Sequence, residues 1–268
     1  MTVRIATWNV NSVRTRLDHV RRFVAEVKPD VLCLQEIKVC DADFPLAAFR
    51  DMGFDHWALA GQKSYHGVAI FSTLPLEGRP RHDWGGNGEA RHQCVALPGG
   101  VELHNLYVPA GGDVPDPREN PKFAAKLDFF DNMSATFSAL KEKEPRRRMI
   151  LLGDLNVAPL ECDVWSHKQL LKVVSHTPIE VEKMTAFQRS FDWIDAVRSI
   201  IPAPEPVYSW WSYRSRDWRV NNRGRRLDHV WVSPTLGPGV RGVALHDHTR
   251  DWPRPSDHIP ITLDLSIG

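Results

Sequence analysis

Cysteine is scarce in this chain. Its 268 residues include four, Cys33, Cys40, Cys94 and Cys162, with no C-x-x-C spacing among them. They read as reduced thiols of a cytoplasmic protein. Long apolar runs are missing as well: no stretch approaches membrane-spanning length, and the opening MTVRIATWNV is too short in apolar run and charged too early for a signal peptide. Excess charge of either sign is also absent, at net +1. That excludes a histone-like polycation but not a nucleic-acid partner, because binding depends on where the basic residues lie. There is no low-complexity linker and no shift in composition to mark a boundary. Residues 1–268 are therefore expected to form one domain, ordinary in its 42% hydrophobic and 25% charged residues.

What is present is an alternation of two periodicities. VRIAT (3–7) and VLCLQE (31–36) read as buried strands, and between them Leu17, Val20, Val24 and Val27 recur at helical spacing behind a cap at Asn11 or Ser12. GVAIFS (67–72) reads as a strand. QCVAL (93–97) and VELHNLYV (101–108) read as a hairpin turning at Pro98, Gly99 and Gly100. A helix carrying Phe123, Leu127, Phe130, Phe137 and Leu140 on one face precedes the strand at 149–152. The pattern then predicts a helix over 187–200 and strands over 207–213, 225–233, 240–247 and 259–265. Interleaved helices and strands with hairpins imply an α/β fold of packed mixed sheets with helices outside. Both halves run strand, polar strand end, helix, a hint of internal repetition.

Carboxylates, amides and an imidazole recur at the ends of these strands: Asn9, Glu36, Tyr107, Asp154, Asn156, Asp228, Asp257 and His258. Taken singly, an Asp or Asn there is an ordinary turn former, and a lone His a structural one. Glu36 directly after VLCLQ is harder to explain that way, since a nearly buried carboxylate needs a cation or a donor. In an extended chain Asp154 and Asn156 would point to one side of their strand end. Oxygen-rich ligands (Glu36, Asp154 and Asp257, with Asn9 and Asn156) suit Mg²⁺, which keeps waters and shares its shell with substrate phosphate. Zinc suits less well without H-E-x-x-H or a cysteine cluster. Asp228 could orient His258.

Residues 214–226 hold six arginines against one aspartate, interleaved with Trp218 and preceded by YSWWSY. A charge run is often only a solvated face. Arginine also offers bidentate donors to phosphate, and aromatics stack on bases, so beside a metal site the run favours a polyanionic phosphodiester. Asn221, Asn222 and Gly224 let the backbone turn, which makes Arg223 and Arg225 the expected phosphate contacts.

The motifs TWNVNSVR, LQEIK, YHGVAI, NLYVPAG, GDLNVAP, DWIDAVR, YSWW, NNRGRRLDHVWVS and PSDHIP resemble, in order and near spacing, the exonuclease III type apurinic/apyrimidinic endonucleases of the endonuclease/exonuclease/phosphatase superfamily. LQE, GDLN and SDH are superfamily-wide, whereas NVNSVR, NRGRRLD and YSWW point to the DNA-repair branch. The resemblance implies a four-layered α/β sandwich with two mixed sheets flanked by helices. It implies Mg²⁺-dependent cleavage of duplex DNA 5′ to abasic sites, with Mn²⁺ as a substitute ion. It further implies 3′-phosphatase, 3′-phosphodiesterase and 3′ to 5′ exonuclease activity on blocked 3′ ends. Apart from the resemblance, a monomer without membrane attachment is expected. Glu36 would be the principal metal ligand, with Asn9, Asp154, Asn156, Asp257 and His258 in or near the metal and phosphate shell. Asp154 would align or deprotonate the attacking water, Asn156 hold the scissile phosphate, Tyr107 contact it, and Asp228 pair with His258. Trp210 would line an apolar pocket too small for a base, with Trp211 on the opposite face of its strand. Segments 107–130 and 159–184 depart from the family pattern. Two other readings are a phosphatase of inositol phosphates or other small phosphoesters, against which the arginine run argues, and a silent DNA-binding module, against which the intact ligand set argues.

Overall fold

The computed structural model describes residues 1–214 and 217–268, so Arg216 of the arginine run lies outside the described residues. The chain begins with β1 (Thr2–Asn9), α1 (Leu17–Val27), β2 (Val31–Gln35), α2 (Leu46–Asp51), β3 (His56–Ala60), β4 (Val68–Ser72), β5 (Glu77–Gly78), β6 (His92–Leu97) and β7 (Val101–Tyr107). It continues with α3 (Pro121–Lys143), β8 (Met149–Asp154), α4 (His167–Leu170), α5 (Pro178–Ser190), β9 (Ile194–Asp195) and α6 (Ala196–Ile200). The last elements are β10 (Trp210–Trp211), α7 (Trp218–Asn221), β11 (Gly224–Arg225), β12 (Asp228–Val232), β13 (Val240–Leu245) and β14 (Ile261–Ser266).

These strands form two mixed sheets of six, ordered β13-β14-β1-β2-β4-β3 and β5-β6-β7-β8-β12-β9, plus the small ribbon β10-β11. Each large sheet holds one parallel pair joined over a helix, β1-α1-β2 and β7-α3-β8, which is the repetition the sequence hinted at. Alternation along a strand explains the layers. Val3 and Ile5 of β1 face a core shared with Leu103, Ile150, Leu152 and Val230 of the other sheet. Ala6 and Trp8 face outward onto Val20 and Phe23 of α1 and Phe49 of α2. On the far side Leu106 and Leu151 meet Phe130 and Phe137 of α3 and Phe187 of α5. Helix, sheet, sheet, helix is the expected four-layered sandwich, and strands covered on both faces read as continuous apolar runs.

Several expectations are corrected. The single helix over 187–200 is two: α5 closes at Ser190, Asp192 takes a positive φ of 50°, and β9 pairs with β12 before α6 starts. Burial of Trp193 and the pairing of Ile194 with Val232 win over the helical pattern. The strand over 207–213 shrinks to β10. That over 225–233 breaks at Arg226 and Leu227, because the Arg226 guanidinium turns inward onto Asp163 (2.8 Å) and Asp195 (2.6 Å). The cap of α1 is Arg16, without a side-chain bond, since Asn11 and Ser12 form a left-handed turn ahead of it.

Candidate active site

The two parallel pairs end on the same side, and their ends meet. In register, Tyr107 of β7 lies beside Asp154 of β8, and Asp154 beside Asp228 of β12. Asn9 closes β1, and Glu36 follows β2 in a left-handed conformation (φ 50°) that turns it out of the strand. Two features bring these ends together. An ideal Cβ at Gly153 would sit 2.0 Å from the Leu106 oxygen, so only glycine lets β8 lie this close to β7 one residue before Asp154. Buried Gln35 donates to Thr7 Oγ1 (2.9 Å) and Asn105 Oδ1 (2.7 Å), while Asn105 donates to the Leu34 and Ala69 oxygens, pinning sheet to sheet beneath the site.

One ligand atom each from Glu36, Asp154 and His258 lies within 4.8 Å of the others. Asn9 Nδ2 bridges Glu36 Oε1 (2.8 Å) and Asp154 Oδ2 (2.9 Å). Its Oδ1 accepts the Asn11 N–H, which fixes which end of the amide faces the carboxylates. Asn9 thus touches both carboxylates of the cluster through its amide nitrogen. Asp154 also accepts from the Asn156 amide and backbone N–H, and Asn156 Nδ2 reaches the Val108 oxygen (2.9 Å). The two side chains meet as predicted, but through a left-handed turn at Asn156 (φ 55°), since β8 ends at Asp154 and the extended spacing does not apply. The carboxylate of Asp257 is held by Asn11 Nδ2 (3.1 Å) and Trp210 Nε1 (3.0 Å) and lines the same cleft as Glu36, Asp154 and His258.

His258 is buried with Nδ1 2.8 Å from Asp228 Oδ2 and Nε2 3.7 Å from Asp154 Oδ2. Burial disfavours the charged ring, yet the carboxylates of Asp228 and Asp154 outweigh it and push its pKa up to about 10. Asp154 is pushed up to about 7, chiefly by burial, with His258 opposing and the charges of Asp228 and Glu36 adding. Burial would raise Glu36 as well, but Lys38 and the Asn9 amide hold it below the usual range. Lys38, which sequence reasoning missed, places Nζ 2.8 Å from Glu36 Oε2. Its position two residues past Glu36 was the available signal. Tyr107 is buried beside the cluster, under the Arg91 guanidinium at 5.0 Å, and burial raises its pKa well above normal, followed by Glu36 and Asp154.

Do these residues fit a metal? Glu36, Asp154, Asp228 and Asp257 gather where His258 and Lys38 supply the nearby positive charge, and one Asp228 oxygen is buried without a partner. Such a surplus of hard oxygen donors fits a divalent cation held by Glu36 and Asp154. Beyond the cluster opens a cleft of 640 Å³ lined by Tyr107, Asn156, Trp165, Trp210, Arg214, Arg223 and Arg225 among others. Trp210 is half-buried in this wall, while Trp211 is buried and bonded to Asn222, as its opposite face predicts. The arginines divide. Arg226 is structural, Arg219 is paired with Asp247 and Asp251, and Arg214, Arg223 and Arg225 reach the cleft.

The endonuclease/exonuclease/phosphatase family model matches residues 6–258. The chain belongs to that family. It is 28% identical to exodeoxyribonuclease III of Haemophilus influenzae over 97% of this chain and 98% of the relative. It is 30% identical to the DNA repair nuclease APEX1 of Danio rerio, over 99% of this chain and 83% of the relative. Its fold is similar to an AP endonuclease from Archaeoglobus fulgidus, with a TM-score of 0.89 at 29% identity, covering 98% of this chain and 99% of the other. It is equally similar to a Neisseria 3′ phosphatase, NExo, solved with a product DNA hairpin, with a TM-score of 0.88 at 29% identity over the same shares. Among the described residues no helix is long and apolar enough to cross a membrane.

Proposed function

We propose that this chain is one catalytic domain that hydrolyses phosphodiesters in duplex DNA for repair, cutting 5′ to abasic sites and clearing blocked 3′ ends, with Mg²⁺ as cofactor and Mn²⁺ as substitute. The observation that carries the reading is the Glu36, Asp154 and His258 cluster at the joined ends of both sheets, opening into a cleft walled by arginines stacked on tryptophans. The relatives named as repair nucleases support it. When bound, the cation supplies Lewis acidity to the phosphate and recruits water. Asp154, held by Asn9 and Asn156, orients the water and takes its proton. His258, kept charged by Asp228, donates to a phosphate oxygen, and Tyr107 lies beside the same phosphate. Water oxygen bonds to phosphorus, the bond to O3′ breaks, and that oxygen leaves with the bonding pair and takes a proton from solvent. The products are a DNA 3′-hydroxyl and a 5′-phosphate, or free phosphate from a 3′-phosphoryl end.

The test is incubation of two duplexes, one with a single abasic site and one with a 3′-phosphate, in Mg²⁺, Mn²⁺ or chelator. Incision and phosphate release are expected with either ion and none with chelator. Mg²⁺ should also stabilise the folded protein by about 2.7 kcal/mol at a hundred times its Kd, an effect that Glu36→Gln removes at the same concentration. Turnover of a soluble inositol phosphate without cleavage of either duplex would replace the reading by that of a small-phosphoester phosphatase.

A further inference from the structure

The cleft wall beyond the cluster sets a charge among the apolar side chains around Trp210, which include Trp165, Leu170, Val173 and Leu227. Arg225 lies over the Trp210 ring at 5.1 Å, on the strand paired with it. Its Nη1 is anchored by the Val174 oxygen (3.0 Å) and Ser175 Oγ (2.8 Å), and its Nε is buried with no hydrogen-bond partner. No carboxylate pairs with it among the described residues, and the nearby charge of Glu180 is matched by Lys126 at 2.5 Å. Arg223 stacks on Trp165 at 4.7 Å in the same wall. A half-buried guanidinium with an unmet N–H and no counter-charge is costly until an anion completes it. Trp210 links this arginine to the reaction centre, since its indole N–H bonds Asp257 and its face carries Arg225.

We propose that Arg225 is a specificity residue for the group on the 3′ side of the scissile phosphate, receiving a negative charge on that group. The enzyme then favours DNA 3′ ends whose blocking remnant carries a carboxylate or a second phosphate over ends with a neutral remnant. This rests on the DNA phosphodiesterase reading and names its substrate class more narrowly. The remnant departs as its own phosphate ester and the strand keeps its 3′-hydroxyl.

The experiment compares two recessed-end duplexes, one ending in 3′-phosphoglycolate and the other in the uncharged 2-hydroxyethyl phosphodiester of similar size. In Mg²⁺ the unaltered enzyme should show a kcat/KM about tenfold or more higher on the glycolate end, the scale of one charge-assisted hydrogen bond. The ratio should fall close to one in Arg225→Met and be partly kept in Arg225→Lys. A ratio taken within one preparation is insensitive to the fraction folded, and the unaltered enzyme alone already decides the question. A continuous strand with an abasic site, its next linkage either phosphate or methylphosphonate, separates a terminal anion from a backbone one. A charge effect seen only in the continuous strand overturns the terminal-remnant assignment. Equal rates on charged and neutral remnants overturn it while the DNA reading stands. Failure to cleave any DNA substrate in Mg²⁺ or Mn²⁺ overturns both.

Discussion

Asp154 and His258 show how little a residue type says about its charge. Asp154 is an acid whose burial raises it toward neutrality, and His258 a base that two carboxylates keep protonated, 3.7 Å apart at their nearest atoms. Under the proposed reading the aspartate accepts the proton of water and the histidine donates a hydrogen bond to the phosphate. Asp154→Asn and His258→Asn should each lower turnover by at least about a hundredfold, the scale of lost acid-base help. Their double variant should cost less than the product of the two, because both act on one transition state. Single-turnover rates on a 3′-phosphate duplex measure this, and fully multiplicative losses would separate the two residues into different steps. Both residues were legible in the sequence as polar strand ends. The parts of Lys38 and Asn11 and the hydrogen bonds of Asp257 were not, since each depends on a contact between segments that only folding brings together.

At the scale of elements, the helices act as well as cover. Lys126 of α3 is fully buried, and its ammonium reaches the Asn156 oxygen (2.8 Å) and Glu180 of α5 (2.5 Å). Glu180 in turn holds the backbone N–H groups of Ser175 and Thr177 and caps α5 with Thr177. One ion pair therefore joins the left-handed turn at Asn156 to the loop that anchors Arg225. Removing one partner of a buried pair leaves an uncompensated charge, so Lys126→Met should destabilise by about 3–5 kcal/mol. The double variant Lys126→Met/Glu180→Gln should recover part of that loss. Urea midpoints decide it, and an unchanged midpoint for Lys126→Met would mean that the pair holds nothing. The helix was visible from its aromatic face, but a lysine between Phe123 and Phe130 gives no sign in sequence of pointing inward.

Across the whole molecule the charge is balanced at net +1, and DNA affinity must come from its distribution. Arg223 lies in the cleft wall on Trp165, whereas Arg219 is held by Asp247 and Asp251. The log-log salt dependence of duplex binding should flatten by about 0.9 in Arg223→Ala, the contribution of one phosphate contact, and stay unchanged in Arg219→Ala. Fluorescence anisotropy over a salt titration measures both slopes. Equal slopes in the two variants and the unaltered protein would make Arg223 a solvated face residue.

The strands β1, β2, β4, β6, β7, β8, β13 and β14, the helices α1 and α3, the burial of strands on both faces and the chain of polar strand ends were determined by the sequence itself, because apolar periodicity and turn residues act locally. The family resemblance follows from those same motifs. The tertiary structure alone decided which of neighbouring arginines faces inward, with Arg226 on Asp163 and Arg225 on the cleft, since successive residues point opposite ways and only sheet pairing says which way is in. It also decided that Asn9 donates to the cluster, that Asp257 is committed to Asn11 and Trp210, and that the pocket wall carries a charge. Those outcomes rest on contacts between residues up to hundreds of positions apart, set by how two sheets stack and not by any local preference.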